Sequence, residues 1–196
     1  MAHLLLVYGT SHGHTAKVVG RIGRGLVARG HEVTIWKGSE WPARRSLAEF
    51  DGFLVAGSVL YGRHQRYLRD FVRHHVSVLN ASPSAFVSVC GAIAGSWEPG
   101  AMEAEKYIAR FLAQTGWRPR LTKSVAGALP YTRYGIFTRW MMKLISAKTG
   151  RPTDTSRDWE FTDWDAVDRF AADLAGIMPE TAAGTAAVDW TAAPAR

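Results

Sequence analysis

Short apolar runs alternate with longer segments of helical periodicity along most of the chain. The apolar runs predict five strands, at residues 3–8, 32–36, 52–57, 85–90 and 124–129. Apolar positions spaced three and four residues apart predict helices at residues 15–29, 65–79, 100–114 and 163–176. Strands and helices that alternate in this way indicate an α/β fold, in which helices cover both faces of a parallel sheet.

The remaining segments set the domain boundaries. Residues 130–161 lie between the fifth strand and the last helix, so we expect an insertion there in a single domain of residues 1–177. Thr162 and Asp165 predict a capping box at the start of the last helix, and Gly30 suits the end of the first. The segment 178–196 is rich in Ala, Thr and Pro, which predicts disorder.

A polar loop joins the first strand to the first helix. It reads Thr10, Ser11, His12, Gly13, His14, Thr15. Such a loop lies at the carboxyl edge of the sheet, where open α/β sheets bind ligands, and the helix start behind it attracts phosphate. The chain lacks the lysine of a nucleotide P-loop and the glycine spacing of a dinucleotide fold. The alternative is an ordinary polar turn with a capping hydroxyl.

The pattern [ST]-x-x-G-x-T in this loop resembles the flavodoxin loop that holds the phosphate of FMN. The resemblance implies a doubly wound sheet of order 2-1-3-4-5 and two further loops that flank the flavin ring. After the third strand these would be Ser58, Val59, Leu60, Tyr61 and Gly62, and after the fourth Cys90, Gly91 and Ala92. Tyr61 could instead be a surface aromatic residue, and Cys90 a small buried apolar residue.

Longer stretches resemble the menaquinone-dependent protoporphyrinogen oxidases of bacterial haem biosynthesis. Among them are GSVLYGRHQRYLRDFV, YIARFLAQTGWRPR and VAGALPYTRYGIFTRWMMKLISAKTGRPTDTSRDWEFTDWDAV. The resemblance implies that FMN oxidises protoporphyrinogen IX and passes the electrons to menaquinone or another quinone. It implies no particular catalytic side chain; Tyr61, His64 and His12 are the candidates near the ring. Residues 91–103 are less basic than in that family, which bears on the substrate.

The insertion contains a basic amphipathic segment, residues 131–150, with four cations and no acid. On a helix, one face would carry Phe137, Trp140, Met141, Leu144 and Ile145, and another Arg139 and Lys143. Cations combined with Trp and Phe are typical of helices that lie at a membrane surface. We therefore expect Arg133, Phe137, Arg139, Trp140 and Lys143 to contact an anionic membrane surface or the substrate propionates. The alternative is packing against the domain itself or in a dimer.

Composition narrows the functional classes. The chain has 196 residues, a net charge of +7 and a pI near 9.9, which suits an anionic partner and fits poorly with the acidic electron-carrier flavodoxins. With one cysteine it forms no internal disulfide. We expect no membrane span, no metal site and no bound nucleic acid, and a cytoplasmic protein on the inner face of the cell membrane. The oligomeric state stays open.

Two other functions fit the same residues. One is an NAD(P)H-fed FMN quinone reductase with the same fold and another substrate. The other is a non-enzymatic electron-transfer or membrane-binding module. Oxidation of NAD(P)H would favour the first, and FMN binding without turnover would favour the second.

Overall fold

A parallel sheet forms the centre of the computed structural model, which describes residues 1–42, 46–93, 99–148, 150–179 and 188–190. Its five main strands are β1 (His3–Gly9), β2 (Glu32–Lys37), β3 (Gly52–Ser58), β4 (Ser84–Cys90) and β5 (Leu121–Ala126). Their order is β2-β1-β3-β4-β5, and every pair is parallel. The predicted α/β class and strand order are confirmed.

Helices pack on both faces of this sheet. They are α1 (His14–Val27), α2 (Arg66–His74), α3 (Val76–Ala81), α4 (Pro99–Thr115), α5 (Ile136–Lys148) and α6 (Trp164–Gly176). The apolar stripes of α1 and α6 bury Ile22, Leu26 and Phe170 against one face of the sheet. On the other face Leu68 of α2 and Phe111 of α4 close a second core. The central strands β1, β3 and β4 are therefore apolar on both sides, as their sequences indicate.

Two predicted elements differ from the structure. The predicted helix 65–79 is two helices, because His75 leaves helical geometry at φ −108° and ψ 14° while its ring packs against Phe71. The predicted strand 124–129 begins three residues earlier, at Leu121, and ends at Ala126. The apolar pattern misses the start of this strand because Thr122 and Lys123 are polar. Such residues are tolerated there since β5 lies at the sheet edge, where side chains meet solvent.

The start of α6 also corrects a prediction. Asp163, and not Thr162, caps this helix: its carboxylate accepts the N–H of Ala166 at 2.9 Å. The Thr162 hydroxyl instead donates to the carbonyl of Ala126 at 2.8 Å. The side chain of Thr162 therefore ties α6 to the end of β5 and does not form the predicted capping box.

The insertion folds over the carboxyl edge of the sheet. Gly127 turns the chain out of β5, and β6 (Ala128–Leu129) then pairs with β7 (Trp159–Glu160) in an antiparallel ribbon. Between them lie a 3₁₀ turn, Tyr131–Arg133, and α5. The fully buried Tyr131 organises this segment, because its hydroxyl donates to Ser146 at 2.7 Å and lies 3.0 Å from the carbonyl oxygen of Pro152.

A sixth strand extends the sheet beyond β2. Strand β8 (Val188–Trp190) runs parallel to β2, with Val188 opposite Val33 and Trp190 opposite Ile35. The sequence predicts disorder here, and for these three residues the structure differs. Their backbone supplies hydrogen bonds to an otherwise open sheet edge, which composition alone does not reveal. Residues 180–187 and 191–196 lie outside the described part of the chain.

Candidate active site

A cavity of about 800 Å³ opens at the carboxyl edge of the sheet. The loops that follow β1, β3 and β4 form its floor and one side, and the insertion forms the other side. Twelve of the fourteen residues predicted to bind the cofactor line it. They are Thr10, Ser11, His12, Gly13, His14, Thr15, Ser58, Val59, Leu60, Tyr61, Cys90 and Gly91.

The loop between β1 and α1 presents an open helix start to this cavity. Gly13 is the N-cap residue of α1 and has φ +87°, a left-handed conformation that glycine adopts without strain. No side chain caps the helix, and its first turn carries no acid. The loop is closed instead by the Gly13 N–H, which donates to the Thr10 hydroxyl at 2.9 Å. The first N–H groups of α1 are thus left for an anion.

Thr15 supports the same interpretation. Its side chain is fully buried in the first turn of α1, yet its hydroxyl oxygen has no hydrogen-bond partner in the described part of the chain. A buried hydroxyl without a partner is costly, so such a group is expected to meet a ligand. The hydroxyl lines the cavity beside the open helix start. A phosphate group bound there would supply the missing acceptor.

The loop after β3 places an aromatic side chain at the cavity rim. Leu60 and Arg63 exchange backbone hydrogen bonds of 2.9 and 3.1 Å, which close a two-residue turn around Tyr61 and Gly62. Both central residues have positive φ, +49° at Tyr61 and +75° at Gly62. A tyrosine in this conformation is strained, and the turn leaves its side chain 73% exposed. Gly62 shapes the turn and does not line the cavity.

A polar network fixes the two loops relative to each other. The Ser58 hydroxyl accepts the N–H of Ser11 at 3.2 Å, and the Gln65 amide donates to both serine hydroxyls, at 2.6 Å to Ser58 and 3.1 Å to Ser11. These hydrogen bonds therefore fix the position of Ser11, in the loop between β1 and α1, relative to the loop after β3. Sequence reasoning did not single out Gln65, because its partner Ser11 is 54 residues away.

The loop after β4 is held by backbone contacts. Val59 donates its N–H to Val89 at 2.8 Å, and Gly127 donates to Cys90 at 3.0 Å. The Cys90 side chain is buried, as its alternative interpretation predicts. Gly91 lies close to Arg151, whose guanidinium is buried and whose pKa is lowered chiefly by that burial. The side chains of Ala92 and Pro99 and all of residues 94–98, about half of the divergent segment 91–103, fall outside the described residues.

The insertion contacts the loop between β1 and α1 directly. Arg133 donates from Nη1 to the carbonyl of His12 at 3.0 Å, and Tyr134 packs edge-on against the His12 ring at 5.2 Å. Asp158 anchors the same turn, because its carboxylate accepts the N–H and the hydroxyl of Thr132 at 2.9 and 2.8 Å. Arg133 thus lies over the cavity, where its charge is available to an anionic ligand.

The other insertion residues that were predicted to contact a membrane or the substrate differ in their exposure. Phe137 and Trp140 are 74% and 60% exposed on the outer face of α5, and Lys143 is exposed as well. Arg139 differs: it donates to the carbonyls of Tyr131 and Tyr134 at 2.9 and 3.2 Å. These contacts give Arg139 a structural role in the turn before α5. Its contact with a membrane or with the substrate stays a prediction.

A second group of residues lines the cavity without having been predicted. Glu160 of β7 lies 3.4 Å from Lys17 and 3.7 Å from His14, and it accepts the indole N–H of Trp164 at 2.9 Å. The Thr162 hydroxyl, which donates to Ala126, accepts from Nε2 of His14 at 2.7 Å. These contacts join residues that are almost 150 positions apart in the sequence, so no local sequence pattern predicts them.

The three histidine and tyrosine candidates for acid–base roles are not equivalent. His12 and Tyr61 line the cavity, and burial followed by the charge of Arg133 lowers the pKa of His12. His64 instead lies in the core between Phe86 and Phe111, 3.0 Å from the Ser88 hydroxyl. Burial lowers the pKa of His64 to about 4. His64 is therefore neutral near pH 7, and it does not line the cavity.

Comparison with known proteins identifies the architecture. The model of the flavodoxin domain matches residues 5–156, more than three quarters of the chain. The chain belongs to the flavodoxin family. A solved flavodoxin 1 from Bacillus cereus matches with a TM-score of 0.55 over 89% of this chain and 97% of that one, at 15% identity. At this identity the match supports the fold alone.

Curated relatives place this flavodoxin-family chain more narrowly. It is 35% identical over 177 residues to the protoporphyrinogen IX dehydrogenase (quinone) of Leishmania major, covering 88% of this chain and 74% of that protein. It is 36% identical over 128 residues to the enzyme of the same name from Escherichia coli K12, covering 65% and 70%. The chain is thus a member of this group of oxidoreductases, as its sequence resemblance indicates.

The cavity of this flavodoxin-family member fits FMN, the cofactor its family indicates. The open start of α1 and the unpartnered Thr15 hydroxyl suit the phosphate, as argued above. Tyr61 and Gly91, which the resemblance to flavodoxins predicts beside the flavin ring, line the same cavity. FMN supplies the redox chemistry when bound, and the protein supplies position and charge. The loop from Thr10 to Thr15 contains no lysine, and Arg133 of the insertion is one of the cations that line the cavity.

Proposed function

We propose that this protein oxidises protoporphyrinogen IX to protoporphyrin IX and delivers the electrons to a quinone, as a step of haem synthesis. The observation that carries the proposal is the similarity to the Leishmania major dehydrogenase, which includes the insertion. A continuous match over 88% of 196 residues necessarily spans residues 130–161. The folded insertion forms one side of the cavity, where it would contact the substrate.

The chemistry requires three cycles at one site. Protoporphyrinogen IX loses six electrons and six protons, and each quinone accepts two of each to become a quinol. One macrocycle therefore converts three quinones. The cavity of about 800 Å³ is at the upper end of the range for small-molecule sites, which suits a cofactor together with part of a large ring. Arg133 is the cation placed to meet a propionate.

An anaerobic assay tests this proposal. The FMN-loaded protein is mixed with protoporphyrinogen IX and a menaquinone analogue, and porphyrin fluorescence is followed against a control without quinone. We expect porphyrin to appear catalytically and only with quinone. Porphyrin formation no faster than the uncatalysed background would refute the substrate. NAD(P)H oxidation with the same quinone would then support the reductase alternative, and FMN binding without any turnover would support a carrier.

We also propose that α5 docks on an anionic membrane surface, on the inner face of the cell membrane. This helix exposes five large apolar side chains: Ile136 at 88%, Phe137 at 74%, Trp140 at 60%, Leu144 at 46% and Ile145 at 39%. Lys143 and Lys148 lie on the same helix, and residues 131–150 contain no acid. Apolar burial and attraction to anionic headgroups together favour a lipid surface over a neutral protein partner. No helix within the described ranges has the length and apolar character needed to span a bilayer.

Vesicle sedimentation tests the docking. Each lysine near an anionic surface contributes about 1 kcal/mol, so Lys143→Gln with Lys148→Gln should lower the partition coefficient about 30-fold. Phe137→Ser with Trp140→Ser should weaken binding to neutral and anionic vesicles alike. Val78→Ser serves as the matched control, because Val78 is an exposed apolar residue on α3, just before β4 at the opposite edge of the sheet. Unchanged sedimentation together with loss of a dimer would refute lipid docking in favour of self-association.

A further inference from the structure

A second, smaller cavity lies between the turn after β3 and the first half of α5. Its volume is about 140 Å³. It is lined by His12, Leu60, Tyr61, Arg133, Tyr134, Gly135, Thr138 and Met142. We call it the side chamber.

The side chamber is continuous with the main cavity. Six of its eight lining residues also line the larger cavity, and only Gly135 and Thr138 belong to the chamber alone. A molecule in the side chamber would therefore lie next to the cofactor site and not in a separate part of the protein.

The dimensions and chemistry of the side chamber suit a single flat ring. A protein cavity of about 150 Å³ is large enough to hold one benzene molecule, so a chamber of this volume holds one ring and excludes a tetrapyrrole. Leu60, Met142 and the two tyrosines give it apolar and aromatic walls. Arg133 and Thr138 add hydrogen-bond donors, which a ring bearing carbonyl oxygens would use. Burial raises the pKa of Tyr134 to about 12, so its phenol keeps its proton.

The side chamber lies beside the exposed apolar residues at the start of α5. Gly135 lines the chamber, and the next two residues along the chain, Ile136 and Phe137, are largely exposed. On the other side of the chamber Leu60 and Tyr61 are also exposed apolar residues. Thr138 and Met142 line the chamber from the inward face of the same helix whose outer face carries Trp140 and Leu144. An apolar molecule could pass along these residues from a lipid surface.

We propose that the side chamber is the site where the quinone ring binds, reached from the α5 surface, while the larger macrocycle enters through the main cavity. This inference rests on the proposed function for the identity of the acceptor. In each cycle the quinone takes two electrons and two protons from the reduced cofactor and leaves as the quinol. Two separate approaches would allow the quinone to exchange while the macrocycle stays bound.

The experiment fills the side chamber and measures the quinone reaction by itself. Thr138→Trp places a large ring in the chamber, and Thr138→Leu is a smaller change that preserves folding if the first variant does not. Ala147→Trp is the matched control, because it adds the same side chain at an exposed position of the same helix, outside both cavities. The FMN-loaded proteins are reduced with dithionite without oxygen, freed of excess reductant and mixed with 2,3-dimethoxy-5-methyl-1,4-benzoquinone, a quinone with a single ring. Equilibrium dialysis of the oxidised proteins gives the Kd of the same quinone.

We expect Thr138→Trp to slow reoxidation at least 10-fold and to raise the Kd at least 10-fold, with a smaller effect of the same sign in Thr138→Leu and none in Ala147→Trp. Reduction of the flavin by protoporphyrinogen IX serves as the reference step and should change far less. An unchanged quinone Kd in both Thr138 variants would overturn the proposal, and so would a wild-type protein that the quinone does not reoxidise.

The design separates this proposal from the proposed function. Dithionite replaces the porphyrinogen, so the quinone reaction is measured whatever the natural electron donor is. A protein that porphyrinogen does not reduce, but whose quinone Kd still depends on Thr138, would refute the substrate and leave the side chamber assigned. If the protein oxidises porphyrinogen but its quinone Kd is the same in the wild type and the Thr138 variants, only the assignment of the side chamber as the quinone site is refuted.

Discussion

Replacing Thr15 by valine should change protein stability and cofactor affinity in opposite directions. The Thr15 hydroxyl is buried without a partner in the described structure, and such a group costs about 1–3 kcal/mol. Valine has nearly the same shape and no hydroxyl, so the protein without FMN should gain about 1 kcal/mol or more in the free energy of unfolding. The same change removes a hydrogen bond to the charged phosphate, worth about 1.5–3 kcal/mol. FMN should therefore bind about 10- to 100-fold more weakly.

Two measurements and one control decide the matter. Urea unfolding of the FMN-free protein gives stability, and quenching of flavin fluorescence gives the Kd of FMN. Thr115 is the matched control, because its hydroxyl is also buried but donates to the carbonyl of Phe111 at 2.9 Å, in α4. Thr115→Val should destabilise the protein by about 1 kcal/mol and leave the Kd unchanged. The reasoning fails if Thr15→Val behaves like Thr115→Val, or if FMN binds Thr15→Val as tightly as the wild type.

Other expectations concern titration and the chain end. The unfolded state takes up a proton on His64 near pH 6.5 but the native state only near pH 4, so stability should fall by up to about 3 kcal/mol as the pH drops through that window. Urea unfolding of His64→Gln should show a smaller fall; an equal fall refutes the assignment. Arg133→Gln should raise the pKa of His12, followed by NMR, because it removes a nearby positive charge; an unchanged pKa would place that charge elsewhere. Deleting residues 179–196 removes β8 and should lower stability without changing the Kd of FMN; weaker FMN binding would show that the tail supports the cavity.

The sequence predicted the parts of the site that depend on neighbouring residues. The loop from Thr10 to Thr15, its position after β1 and the helix behind it all follow from local pattern and turn chemistry. The exposed apolar face of α5 also follows, because spacing along one helix decides which residues share a side. The strand order of the sheet came from the resemblance to flavodoxins, since alternation alone predicts only a parallel sheet.

Contacts between distant residues could not be predicted in this way. Arg133 meets the carbonyl of His12 across 121 positions, and Glu160 meets Lys17 across 143. The spacing of residues within one strand or helix predicts neither contact. The structural role of Arg139 was missed for a related reason: charge and helical position suggested a solvent-facing cation, but the backbone carbonyls of Tyr131 and Tyr134 lie within its reach.

The hydrogen bond from Arg133 to His12 has a consequence for thermodynamic linkage. It joins the folded insertion to the loop that would receive the FMN phosphate, so the binding of FMN and the packing of the insertion against this loop are coupled. By whatever factor bound FMN favours the closed insertion, closure of the insertion favours bound FMN by the same factor. Slower amide exchange in α5 on addition of FMN would report this coupling. A protein with a loosened insertion would then lose cofactor, even with every residue of the phosphate loop intact.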